Sequence, residues 1–94
     1  MITVGNYVRN ILKQRNMRQI DLVSEINRLH LYKENEVQKQ KLNNFLNGIG
    51  GNNFLMARRC EIALNLPKYS LIKMMGEPTR AEWKRIMEVD KCID

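Results

Sequence analysis

A chain of 94 residues, 44% hydrophobic and 28% charged, can bury one compact core but not two, and none of its apolar runs approaches the roughly 18 residues of a membrane span, so one soluble domain is expected and a transmembrane protein is excluded. The net charge of +6 is localised: residues 1–59 hold ten Lys/Arg against four Asp/Glu and residues 60–94 hold six of each, so the N-terminal part either faces a polyanion or is a solvated basic surface. The opening MITVGNYVRN has no basic region followed by an apolar run and a small-residue cleavage site, so no secretory signal and a cytoplasmic location are expected.

Val4, Tyr7, Val8, Ile11 and Leu12 recur at helical spacing, with Arg9, Asn10, Lys13, Gln14 and Arg15 on the other side. This predicts a first, amphipathic helix. A second begins near Gln19 and runs as far as Leu31, burying Leu22, Val23, Ile26 and Leu29. Asp21 stands in its first turn, where the helix dipole favours an acid. After the polar segment 32–35, the spacing Asn35-x-x-Gln38 reads as a cap, so a third helix is expected over Glu36–Asn47 with Val37, Leu42, Phe45 and Leu46 inward. Its outward side reads Lys39, Gln40, Asn43 and Asn44, and Gly48 can take the left-handed conformation that ends helices.

Beyond the break at Gly48-Ile49-Gly50-Gly51, Asn52 or Asn53 caps a fourth helix that turns Met56, Ala57, Cys60, Ala63 and Leu64 inward and is ended by Pro67. A short fifth helix spans Ser70–Met75 and is closed by Gly76 and Pro78. Thr79-Arg80-Ala81-Glu82 matches the capping box, so a sixth helix is expected from Arg80 to about Val89, with Trp83, Ile86 and Met87 as its apolar stripe. That stripe either completes the core or forms a dimer contact. No strand pattern, repeat or low-complexity segment stands out, and the fold class is all-α with five to six helices.

The two cysteines, Cys60 and Cys92, lie far apart, and the one histidine is His30. This gives neither a CxxC pair nor a zinc spacing, so reduced thiols, no metal and no cofactor are expected. A Cys60–His30 nucleophile and base would need a third orienting group, and Cys60 falls on an apolar stripe. Gly48-x-Gly50-Gly51 lacks the Lys-Ser/Thr of a phosphate-cradling loop, and no paired carboxylates suggest acid–base work. No enzyme is expected.

Met17-Arg18-Gln19-Ile20-Asp21-Leu22-Val23, followed by Val37-Gln38-Lys39-Gln40-Lys41-Leu42-Asn43-Asn44-Phe45-Leu46-Asn47-Gly48, resembles the Cro/C1-type (Xre) helix-turn-helix repressor family. A Gln opens the first motif helix three residues before a buried Leu, and an Asn-Gly pair ends the recognition helix six residues after a buried aliphatic one. The resemblance covers about residues 4–75. Three departures stand out. Arg18 occupies the usual Ser/Thr N-cap position, Leu46 replaces the Glu before the final Asn-Gly, and Ile26 to Val37 spans eleven positions where the common turn takes three or four residues.

The resemblance implies a lambda-repressor-like DNA-binding domain over residues 1–76, with a C-terminal helix in 77–94 for packing or dimerisation. It implies base contacts from Gln38, Lys39, Gln40, Asn43 and Asn44, and phosphate contacts from Gln19, Arg18, Lys41 and Arg15. Arg9, Lys13 and Arg28 are further phosphate candidates. Gln or Asn pairs with adenine and Lys with guanine in the major groove, although any amphipathic helix has a solvated polar face. Gln38 and Lys39, nearest the enlarged turn, are the least secure of the set. The implied partner is double-stranded DNA at an inverted-repeat operator bound by a homodimer, as in a phage or mobile-element regulator. The competing reading is a helical interaction module, such as an antitoxin or an inhibitor of a host factor, because fold does not settle function.

Overall fold

Helical apolar stripes account for the architecture. The computed structural model describes residues 2–29 and 37–91. Among them it contains no strand and six helices: α1 (Val4–Gln14), α2 (Gln19–Arg28), α3 (Lys39–Leu46), α4 (Phe54–Ala63), α5 (Ser70–Met75) and α6 (Arg80–Lys91). The second helix ends at Arg28, with Leu29 as its C-cap, short of the expected Leu31; His30, Leu31, Tyr32, Asn35, Glu36 and Cys92 lie outside the described residues.

Val8, Leu12, Leu22, Ile26, Leu42, Phe45, Met56, Cys60, Leu64, Leu71 and Ile86 meet in one core. Helix α4 packs against α2, α5 and α6, while α3 packs against α1 and α2. The approach of α1 to α3 depends on Gly5, because a Cβ there would stand 1.8 Å from the Leu46 carbonyl oxygen. Any other residue would push the two helices apart.

Helix ends follow the local chemistry. Thr3 Oγ1 accepts from the Asn6 N–H at 3.1 Å and Asn53 Oδ1 from that of Met56 at 2.9 Å. Thr79 and Glu82 form the expected reciprocal box. Three helices end in the Schellman pattern, with Asn16, Gly48 and Asn65 in the left-handed conformation at φ 55°, 71° and 55°. In each, the N–H of the following residue reaches back to the last turn: Met17 to Leu12, Ile49 to Asn44 and Leu66 to Glu61. The Asn65 turn, rather than Pro67, therefore ends α4.

One further boundary and one buried face differ from expectation. The third helix starts at Lys39, not Glu36, and Gln38 stands before it in extended conformation. Val37 does face inward, but both its backbone polar groups are bonded to the Asn27 side chain, so they need no helical partner. In α6 the buried residues are Ile86 and Val89, Trp83 is half-buried, and Met87 is 57% exposed. The face rotates toward Val89 because Asp90 beside it bonds to α4.

That bond belongs to a buried polar network absent from the sequence expectation. Glu61, with no exposed surface, accepts from Arg58 Nη1 at 2.9 Å and from the backbone N–H groups of Tyr69, Leu71 and Ile72 at 2.9, 2.8 and 3.0 Å. Arg58 Nε donates to Asp90 Oδ1 at 2.6 Å, and the Tyr69 hydroxyl donates to Asp90 Oδ2 at 2.8 Å. Burial alone would lower the Arg58 guanidinium, but its bonds to Asp90 and Glu61 prevail and raise it. Tyr69 sits at φ 65°, a strained position for a side chain of its size. Its N–H, its hydroxyl and its edge-on contact with Trp83 at 5.1 Å hold it there.

Removing one member of a buried ion pair leaves the other desolvated and unpaired, so Glu61→Ala should lower the free energy of unfolding by about 3–5 kcal/mol. Chemical denaturation checks this. Glu61→Gln, which keeps an acceptor for the α5 N–H groups, should lie between the two.

Candidate nucleic-acid interface

Helix α3 is fixed by Leu42, Phe45 and Leu46, all buried. At 3.6 residues per turn these three define one side, which centres Gln40 and Asn44 on the other, with Lys39 and Asn43 to one flank and Lys41 to the other. Lys39, Gln40 and Lys41 are exposed, and Asn43 and Asn44 are half-buried. Gln40 Nε2 donates to Asn44 Oδ1 at 2.9 Å, a pairing one turn apart that holds both carboxamides in a common orientation. It leaves the Gln40 carbonyl and the Asn44 amide group available, the acceptor and donor pattern a base edge requires. Gln38 is exposed at the N-cap, outside the helix proper.

The N-terminus of α3 is electrostatically unusual. Its first turn has no acid but carries Lys39 and Lys41, where the helix dipole disfavours cations. Gln38 makes no side-chain cap bond, whereas α1, α2, α4 and α6 each have a side chain at their N-terminal N–H groups or N-cap. Among the described residues, α3 thus begins with two lysines and no acid in its first turn, and with no side-chain cap bond from Gln38.

Other expected contacts are placed less simply. Helix α2, which packs on α3, begins with exposed Arg18 and half-buried Gln19. The missing Ser/Thr cap at Arg18 is replaced by Asp21, whose Oδ2 accepts from the Arg18 backbone N–H at 2.8 Å, with the guanidinium bridging to the same carboxylate at 3.4 Å. Arg28 is paired with Glu25 at 2.5 Å. Arg9 on α1 donates to the Leu46 carbonyl at 3.1 Å and to Asn47 Oδ1, and Arg15, the C-cap of α1, donates to the Leu64 carbonyl at 2.6 Å. Both guanidiniums therefore serve helix C-termini, where the dipole favours a cation. One of the five N–H donors of Arg15 is used in this way.

Part of the basic excess of the N-terminal part is thus engaged within the molecule. Arg58 is buried in the network with Glu61 and Asp90, and burial lowers half-buried Arg59. Among the described residues of this part, exposed lysines stand at positions 13, 39 and 41, two of them on α3, and exposed arginines at 15, 18 and 28. Elsewhere, burial pushes the Cys60 thiol up to about 12, so it is protonated at neutral pH. No group of His, Cys, Asp and Glu among the described residues is placed to hold a metal, and no described helix is long and apolar enough to cross a membrane. Comparison of the chain with protein-family models, curated proteins and solved structures finds no match.

The Asp21 cap sets a pH dependence. The hydrogen bond from the Arg18 backbone, aided by that from its guanidinium, holds the Asp21 carboxyl below its ordinary value of 3.8. A carboxylate depressed in the folded state contributes stability above its unfolded value and loses it as pH falls through the folded one. Asp21→Asn should therefore lower Tm relative to wild type by a constant amount above about pH 5, and the gap should close below the ordinary aspartate range. Parallel thermal melts across pH read this directly.

Proposed function

We propose that this chain is a sequence-specific duplex DNA-binding regulator of lambda-repressor-like type that inserts α3 into the major groove. The observation that carries the reading is the outer face of α3: a pre-oriented Gln40–Asn44 pair flanked by Lys39, Lys41 and Asn43, on a helix whose other side is buried. Two lysines in an uncapped first turn cost helix stability when the protein is alone. A polyanion there converts that cost into binding, because phosphates favour both the lysines and the helix N-terminus.

The roles follow from this placement. Gln40 and Asn44 read base edges, with Asn43 and Lys39 beside them, and Gln38 meets DNA only from the N-cap position. Lys41, Arg18 and Gln19 contact the backbone. Arg15 contributes its remaining donors while capping α4. The protein acts as a homodimer on an inverted repeat, presenting two α3 helices about 34 Å apart in successive major grooves. It is a cytoplasmic, non-enzymatic regulator of the phage or mobile-element kind.

Selection from random duplex DNA at two salt concentrations tests this reading. An enriched inverted repeat is expected, with affinity falling steeply as salt rises. Gln40→Ala and Asn44→Ala should each lose preference at particular base pairs by roughly 1–3 kcal/mol, whereas Arg18→Ala should weaken all sequences alike. No enrichment and no salt dependence would remove the DNA reading and leave the protein-interaction module.

A further inference from the structure

The two ends of α3 are held by different devices, and neither uses its exposed face. At the C-terminal end, Gly5 lets α1 press against the Leu46 carbonyl, and Arg9 donates to that carbonyl and to Asn47. At the N-terminal end, the hydrogen bonds among the described residues come from one side chain of α2. Asn27, in the last turn of α2, accepts from the Val37 N–H at 2.8 Å and donates to the Val37 carbonyl at 3.0 Å. Val37 is itself buried, and α3 starts two residues later at Lys39.

We propose that Asn27 is a positioning residue that fixes the N-terminal end of α3 to α2 across the enlarged connection, and so sets how the first turn of α3 meets a base edge. The inference rests on the DNA-binding reading for its functional consequence. The chemistry is specific to a carboxamide, which alone among side chains of this length presents a donor and an acceptor together, as a second backbone strand would. A two-point bond also fixes rotation about the connection, which a single bond leaves free. With Asn27 removed, α3 retains its C-terminal anchorage and its buried residues and pivots about them. Lys39 and Gln40 then lose definition before Asn44 does.

Amide hydrogen exchange and operator discrimination in the full chain test this together. In Asn27→Ala, the amides of Val37, Lys41 and Leu42 should exchange at least ~10-fold faster relative to those of Asn47 and Ile49. Arg9→Ala should show the reverse pattern. On the DNA selected by the wild type, Asn27→Ala should lose roughly 10-fold in discrimination at the base pairs lost in Gln38 and Lys39 alanine variants, and much less at those lost in Asn44→Ala. If Asn27→Ala does not fold, Asn27→Asp decides, since it keeps the acceptor for the Val37 N–H and loses the donor to the Val37 carbonyl. It should give the same pattern, because its second oxygen repels the Val37 carbonyl that Asn27 Nδ2 holds. Uniform acceleration along α3, or no change at Val37 and Lys41, overturns the clamp. The expected exchange pattern without any wild-type sequence selection preserves the clamp and rejects the DNA reading, and the expected exchange with discrimination lost equally at all base pairs rejects its role in specificity.

Discussion

The carboxylate of Glu61 is the constraint on which the rest of the molecule depends. Placing a charge where no water reaches costs several kcal/mol unless its lone pairs are filled, and here one guanidinium and three backbone N–H groups fill them. The N–H groups of Leu71 and Ile72 belong to the first turn of α5, so Glu61 serves as the cap that a six-residue helix lacks locally. Its partner Arg58 in turn holds Asp90 of α6. Two side chains on α4 thereby fix two further helices and the strained Tyr69, and α4 also packs against α2.

With that half rigid, the N-terminal half can leave a polar helix at the surface. Helix α3 is short and carries adjacent asparagines, poor helix formers, and its first turn opposes its own dipole. It persists because α1 and α2 grip it at both ends and Leu42, Phe45 and Leu46 anchor it beneath. Two arginines that composition would send to an external anion also have partners within the molecule: Arg9 and Arg15 donate to carbonyls at helix C-termini, where partial negative charge is concentrated. Lys39 and Lys41, which have no such partner among the described residues, stand on the outer side of α3.

Apolar periodicity made the six helices legible in the sequence, and Gly48 and the Thr79–Glu82 box marked two of their ends by local chemistry alone. Interactions between distant residues were not legible. Arg58 and Glu61, three apart, look like an exposed helix pair until α5 and α6 close over them. Asn27 looks like a surface residue because its partner Val37 lies ten positions away. The start of α3 was misplaced for that reason, since a backbone satisfied from α2 has no need to be helical. In the candidate interface, the polar character of residues 39–44 could be read directly. The Gln40–Asn44 pairing and the extended, non-capping Gln38 before it depend on the packing of α3 and were not legible. The one sequence signal that pointed to Asn27 was a polar residue beside the buried Ile26, at the end of an apolar stripe.

The central claim is that the outer face of α3 meets duplex DNA. Titrating the isotopically labelled protein with its selected duplex and following backbone and side-chain amide resonances tests this most directly. Shifts are expected at residues 38–44, including the Gln40 and Asn44 carboxamides, and at Arg18 and Gln19, with α5 and α6 little affected on their solvent side. Shifts centred on α4 to α6, or none on α3 while binding saturates, would contradict it.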